Sequence, residues 1–218
     1  MEEGMPFSDN ENVHSFVARF EEMLQKNEQY FFDVEEFEDI IDYYSTKDNH
    51  KKALQAVKLA TSQHPASVEL LFKKAQVLAD SNKPRKALQV LSDVEAIALD
   101  DPDIYMLKGT IYSQLREHKK AIKCYERAAG CSEELDEIYM CIAYEYQNLD
   151  DNDKALKFLK RSLEEDPENE IALYEIAFCY EAIEKVEESI NYYDKFLDKH
   201  PYSHAAWYNL GISYSKLG

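Results

Sequence analysis

Four carboxylates are the side chains whose spacing first points to chemistry in this sequence. Glu35, Glu38, Asp39 and Asp42 fall at i, i+3, i+4 and i+7, which puts all four on one face of a helix. Such a face attracts cations and basic partners, but acids of one kind at helical spacing do not make a general acid–base pair. His200 and His204 are four apart, as helical metal ligands are, yet Pro201 stands between them and no acidic residue completes the set. Cys124, Cys131, Cys141 and Cys179 show no CxxC spacing, so they read as isolated thiols rather than a metal or redox site. The sequence holds no Gly-rich phosphate loop and no nucleophile elbow. No metal, cofactor or catalytic residue is expected, and the chemistry that remains is binding.

The elements that position these residues belong to a chain of 218 residues, long enough for a substantial core. It is 45% hydrophobic and 12% aromatic but carries only 5 Gly and 6 Pro, a composition that disfavours a turn-rich all-β fold. Its formal net charge of −18 repels phosphate backbones and anionic lipid, so neither nucleic acid nor a membrane is an expected partner. The charge is uneven: residues 1–49 hold 3 basic against 14 acidic side chains, residues 50–120 hold 12 against 8, and residues 121–218 hold 10 against 21. The sequence has no apolar run long enough to span a bilayer, and its first residues are acidic where a signal peptide is basic. These features read as a soluble, all-α, cytoplasmic protein.

The strongest pattern is a 34-residue period. Tyr44, Tyr112, Tyr146, Tyr180 and Tyr214 share one grid with Leu78. A second grid holds Ala53, Ala87, Ala121, Ala155 and Ser189, and a third holds Ala75, Gly109, Ala143, Ala177 and Gly211, with Ile41 as its exception. Counting from Val34, the full units are 34–67, 68–101, 102–135, 136–169 and 170–203, followed by a partial unit 204–218. Apolar residues recur at positions 4, 8 and 11 of each unit and again at 20, 24 and 27, two helical stripes separated by polar turn residues. Pro65, Pro167 and Pro201 stand at position 32, where they are expected to close the second helix. Each unit is therefore predicted to be a helical hairpin that buries its apolar faces only by stacking.

This pattern resembles the tetratricopeptide repeat family, most closely in Ala206-Trp207-Tyr208-Asn209-Leu210-Gly211-Ile212-Ser213-Tyr214. The resemblance implies an α-solenoid of antiparallel helix hairpins wound as a right-handed superhelix, with first helices lining a concave, peptide-binding groove. Carried onto this sequence, the groove positions give an apolar and aromatic strip of Met106, Leu107, Met140, Tyr144, Tyr174, Phe178 and Tyr208. The same positions give the acidic residues Glu35, Glu38, Asp39 and Asp42. Family members that hold the acidic tails of heat-shock chaperones use a clamp of Lys, Arg and Asn; here Glu38 and Asp42 occupy two of its positions, so that role is disfavoured. Three departures from the family pattern stand out. Lys74 and Lys108 occupy the usually apolar position 7, where their charged tips are expected to snorkel to solvent. Leu99 and Glu133 replace Pro at position 32, and Phe196 fills a position usually held by a small residue.

Residues 1–33 are expected to form a disordered start, 1–10, and a lead-in helix over roughly 11–28 that shields the repeat domain 34–218. The partial sixth unit has only its first helix, which leaves Trp207, Leu210 and Tyr214 without cover and suggests a piece cut from a longer protein. The resulting expectation is a non-catalytic adaptor or scaffold. Its partner is a protein or peptide carrying apolar or aromatic anchors and basic residues. A second reading makes it the targeting or regulatory segment of a larger enzyme or sensor, and a third has the final helix pairing with a second copy.

Overall fold

A computed structural model describes residues 7–217. Among them the chain is all-α, with twelve helices and no strand. They form two compact bodies, one up to Leu99 and one from Asp100. The first body holds α1 (Phe7–Lys26), α2 (Val34–Thr46), α3 (His50–Gln63), α4 (Val68–Asp80) and α5 (Pro84–Glu95). The second holds α6 (Pro102–Gln114), α7 (His118–Ala129), α8 (Asp136–Gln147), α9 (Asn152–Glu165), α10 (Glu170–Ala182), α11 (Val186–Lys199) and α12 (His204–Leu217). Every first helix of the repeat begins at position 1 of its 34-residue unit, from Val34 to His204. Residues 1–6 of the expected disordered start lie outside the described residues, while Phe7–Asn10 already belong to α1. That helix stops at Lys26 because Asn27 adopts a left-handed conformation, φ 52°.

One turn is used five times. At position 15 of each hairpin, Asp48, Asn82, Arg116, Asp150 and Glu184 have φ between 53° and 59°. In every case the amide at position 16 donates to the carbonyl at position 11, and the amide at 15 donates to the carbonyl at 12. In the third hairpin these bonds are Glu117 N to Tyr112 O, 2.9 Å, and Arg116 N to Ser113 O, 2.8 Å. This is the Schellman arrangement, which satisfies the last carbonyls of the first helix while reversing the chain. Asn and Asp tolerate that backbone; Arg and Glu are strained in it, and none of the five positions is Gly.

The turn brings the two helices close, and positions 8 and 20 are small in every full hairpin except the first, where Ile41 is buried at position 8. Ala53, Ala87, Ala121 and Ala155 at position 20 are fully buried. The tightest approach is at Gly109, where a methyl group would lie 2.6 Å from Cδ1 of the Tyr125 ring. Tyr125 is the large position-24 residue of that hairpin, and its phenol meets Thr110 Oγ1 at 3.3 Å. A second repeated contact sits at position 19: Lys52, Lys120 and Lys154 lie over the rings of Tyr44, Tyr112 and Tyr146 at about 5 Å. Arg127 and Arg161 likewise cover Tyr105 and Tyr139, both at 4.1 Å.

Each second helix followed by proline ends just before it. Second helices followed by Pro run to position 30, ending at Gln63, Glu165 and Lys199, whereas those followed by Leu99 and Glu133 stop two residues sooner, at Glu95 and Ala129. Proline thus stands directly after the C-cap residue and also sets the exit path. The residue before each proline is held out of the helical region, with φ near −126° at His64, Asp166 and His200, whereas Ala96 and Gly130 cap their helices in the helical region. At the other ends, Asp33 and Glu36 form a capping box, and Ser67 and Asn169 accept from Leu70 N and Ala172 N. Lys108 does not snorkel: it is buried, 8% exposed, while Lys74 is half-buried.

Two glycines at the same repeat position should respond oppositely to one methyl group. Gly109→Ala should lower stability by about 1–3 kcal/mol by driving the methyl into Tyr125. Gly211→Ala, with open space around it, should raise stability by about 0.5–1 kcal/mol. Urea midpoints moving in the same direction would contradict the close packing of Tyr125 on Gly109. At position 15, Arg116→Gly and Glu184→Gly should each raise stability by up to about 1 kcal/mol through relief of the left-handed strain. A loss of stability in both would contradict the turn.

Candidate functional site

In the second body the first helices α8, α10 and α12 present large side chains that the core leaves uncovered. Tyr144 is 36% exposed, Tyr174 45%, Phe178 57% and Tyr208 61%. All four occupy positions 5 or 9 of their units. Tyr174 and Tyr208 meet edge to face, with centroids 6.3 Å apart. Gln147 of α8 donates to Glu175 Oε2 at 2.8 Å and to Cys179 Sγ at 3.2 Å, which ties α8 to α10 below the aromatic rings. Burial, helped by the Glu175 carboxylate, pushes the Tyr144 phenol above its usual range.

The rest of the expected strip is not equally accessible. Met140 is only 7% exposed, and its unbranched side chain packs into the core of the second body. Met106 is half-buried against the same core, and Leu107 is half-buried as well. In α12, Leu210 is 5% exposed and belongs to that core, contrary to the exposure expected of it; Trp207 and Tyr214 are exposed. The difference is one of face: position 7 points at the preceding hairpin, whereas positions 4 and 11 are where a second helix lies in the full units.

Between α10 and α12 the face opens into a cavity of about 220 Å3. Tyr174, Phe178, Tyr208 and Ile212 wall it, and Ser189, Asn209 and Ser213 form its buried floor. The hairpin behind the cavity is looser than the third one. Tyr193 at position 24 faces Ala177 rather than a glycine, and α10 and α11 pack less closely than α6 and α7 do. The Tyr193 phenol instead reaches the Leu173 carbonyl, 2.6 Å, and Asn209 Nδ2 of α12 donates to the same oxygen, 3.1 Å. Sequence reasoning did not find this floor. Its one signal was Ser189, the serine in a grid otherwise made of alanine.

In the first body, Glu35, Glu38, Asp39 and Asp42 do share one face of α2, but the face is not purely anionic. Lys73 of α4 bonds both carboxylate oxygens of Asp42 at 2.6 Å. Burial raises the Glu38 carboxyl above its usual range; Lys73 opposes this, and Asp42, Glu69 and Asp39 add to it. Glu35, Asp39, Asp33 and Glu36 line a cleft of about 450 Å3 beside Val13 and Phe16 of α1.

The other candidates for chemistry do not assemble. Among the described residues no three His, Cys, Asp or Glu side chains lie together as metal ligands would. None of the four cysteines is in a disulfide. Burial pushes the Cys141 thiol up to about 11 and also raises Cys179 and Cys131, so these three stay protonated at neutral pH and are poor nucleophiles. His200 stacks on Phe196, with ring centroids 4.6 Å apart. No helix among the described residues is long and apolar enough to cross a membrane.

Comparison with known proteins agrees with this architecture. Two family models, both described as tetratricopeptide repeat, match residues 46–111 and 149–210 and residues 102–132. No curated protein matches the chain by sequence. Among solved structures, one of the MamA protein is 24% identical with a TM-score of 0.64, covering 76% of this chain and 90% of that one. A MamA structure from Desulfovibrio magneticus RS-1 is 14% identical with a TM-score of 0.63, covering 77% and 95%. YrrB, described as a TPR protein with an unusual peptide-binding site, is 19% identical with a TM-score of 0.59, covering 90% and 97%. At these identities the likeness is one of fold.

The acidic face of α2 makes a prediction about pH. A carboxyl whose pKa is raised on folding is less stable ionised in the folded chain than in the unfolded one, so its contribution falls as pH rises through the usual carboxylate range and above. Glu38→Gln should therefore give a small rise in Tm at pH 7 that disappears near pH 4. A rise of the same size at both pH values, or a fall at pH 7, would contradict this reading of Glu38.

Proposed function

Because the chain belongs to the tetratricopeptide repeat family, we propose that it is a non-catalytic protein-interaction module, an adaptor or scaffold. Its partner segment lies on the first-helix face of α8, α10 and α12. The observation that carries this reading is the set Tyr144, Tyr174, Phe178 and Tyr208: four large aromatic side chains half in water on successive helices, although each helix has a buried face to offer them. Clustered exposed aromatics are costly to leave in water and are the commonest energetic anchors of protein interfaces. YrrB, with its unusual peptide-binding site, supports the reading only at the level of fold.

The charge of this face selects the partner. Glu137, Glu175 and Glu181 are groove positions on α8 and α10, so apolar or aromatic anchors flanked by Lys or Arg fit it best. Binding of ordinary adaptor strength, roughly micromolar, is expected. Glu35, Glu38, Asp39 and Asp42, partly neutralised by Lys73, form a second acidic surface for basic segments of the partner. We place the module in the cytoplasm, where cysteines outside disulfides stay reduced.

Quantitative co-purification from the source cells tests the proposal, comparing tagged parent with Tyr144→Ala, Phe178→Ala and the double variant. A genuine partner should bind each single variant more weakly by about 1–3 kcal/mol, while the Tm of the variants stays near that of the parent. Equal enrichment of every co-purifying protein with parent and double variant would overturn the proposed face.

A further inference from the structure

The cavity between α10 and α12 carries more detail than the open face around it. At about 220 Å3 it is smaller than the roughly 300–1,000 Å3 of small-molecule sites, a size for one side chain rather than a cofactor. Its walls are aromatic and aliphatic, and its floor has one unused acceptor. Ser213 Oγ donates its only proton to the Asn209 carbonyl at 2.9 Å. With that proton on the Asn209 carbonyl, Ser189 Oγ, 2.9 Å from Ser213 Oγ, is the donor of their pair. In that arrangement the lone pairs of Ser189 Oγ have no donor among the described residues, and Ser189, 3% exposed, lines the cavity. An occupant with an apolar ring and a donor at its tip satisfies both walls and floor.

Beside the cavity, Lys216 Nζ and Glu181 Oε2 form an ion pair at 2.5 Å, with both side chains open to solvent. Exposed pairs of this kind hold weakly and exchange partners readily. Glu175, six residues earlier on α10, is bonded by the neutral Gln147 amide and adds negative charge without a cation at that bond. We propose that the cavity is an anchor pocket for a tyrosine of the partner segment, whose phenol donates to Ser189 Oγ while an adjacent Lys or Arg takes Glu181 from Lys216. This rests on the reading of the first-helix face as the partner surface and assigns the chemistry of its deepest subsite.

The test uses the full chain labelled with 15N and end-capped hexapeptides of one scaffold, Ala-Ala-Tyr-Lys-Ala-Ala, with Phe replacing Tyr or Glu replacing Lys. The Tyr-Lys peptide should shift the amides of Ser189, Asn209 and Ser213 and bind at least fivefold more tightly than either relative. Lys216→Ala should tighten its binding severalfold by freeing Glu181, and Glu181→Gln should weaken it. Ser189→Ala should abolish the preference for Tyr over Phe; this variant folds, because four other units carry Ala at that position. The pocket is overturned by unchanged Ser189, Asn209 and Ser213 amides at millimolar peptide, by equal binding of the Tyr and Phe peptides, or by no gain in Lys216→Ala. Shifts confined to Leu107 and Tyr144 would also overturn the pocket while leaving the broader partner face standing.

Discussion

The close approach of two antiparallel helices across a left-handed turn is the constraint on which the rest of the structure depends. The turn at position 15 fixes where the second helix starts, and the separation it imposes favours small residues at positions 8 and 20, which every hairpin but the first, with its buried Ile41, carries. Most of the large side chains then sit at position 24 or on the outer stripes. Where position 8 is Gly109, the Tyr125 ring lies flat against the first helix and the hairpin is tight. Where position 8 is Ala177, Tyr193 is placed differently. Its hydroxyl goes to the Leu173 carbonyl, Asn209 joins it there, and the space left over is the cavity between α10 and α12.

The same constraint divides surface from core. Within each body, second helices spend their apolar stripes on the first helix of their own hairpin and on that of the next, as α9 does between α8 and α10. First helices meet their neighbours over a smaller area and keep positions 5 and 9 partly free, which is why aromatic residues there remain in water. Polar ties fix the stack at its joints: His118 Nδ1 meets the buried Glu145 carboxylate at 2.6 Å, joining α7 to α8. Lys160 of α9 bonds the Tyr180 hydroxyl at 2.7 Å, joining α9 to α10.

The hairpins were legible because a 34-residue recurrence of small residues and tyrosines is a direct trace of the spacing between helices, and every first helix begins where that grid places it. The turn chemistry was not, since Arg116 and Glu184 are poor left-handed residues and nothing local marks them. Lys108, Met140 and Leu210 depart from expectation for a shared reason: repeat position says which face a side chain leaves from, not whether a neighbouring helix covers it. Of the candidate face, Tyr144, Tyr174, Phe178 and Tyr208 were readable from position alone. The floor of Ser189, Asn209 and Ser213 was not, because it needs three helices in place.

Position-resolved photo-crosslinking in the source cells tests the central claim most directly, since it asks which side of the second body touches a partner. Benzoylphenylalanine would replace Tyr174 or Tyr208 on the first helices and Lys157 or Lys195 on the exposed side of α9 and α11. The account predicts a discrete crosslinked species from Tyr174 and Tyr208 and none from Lys157 or Lys195. Crosslinks from the two lysine positions, with none from the tyrosines, would contradict it.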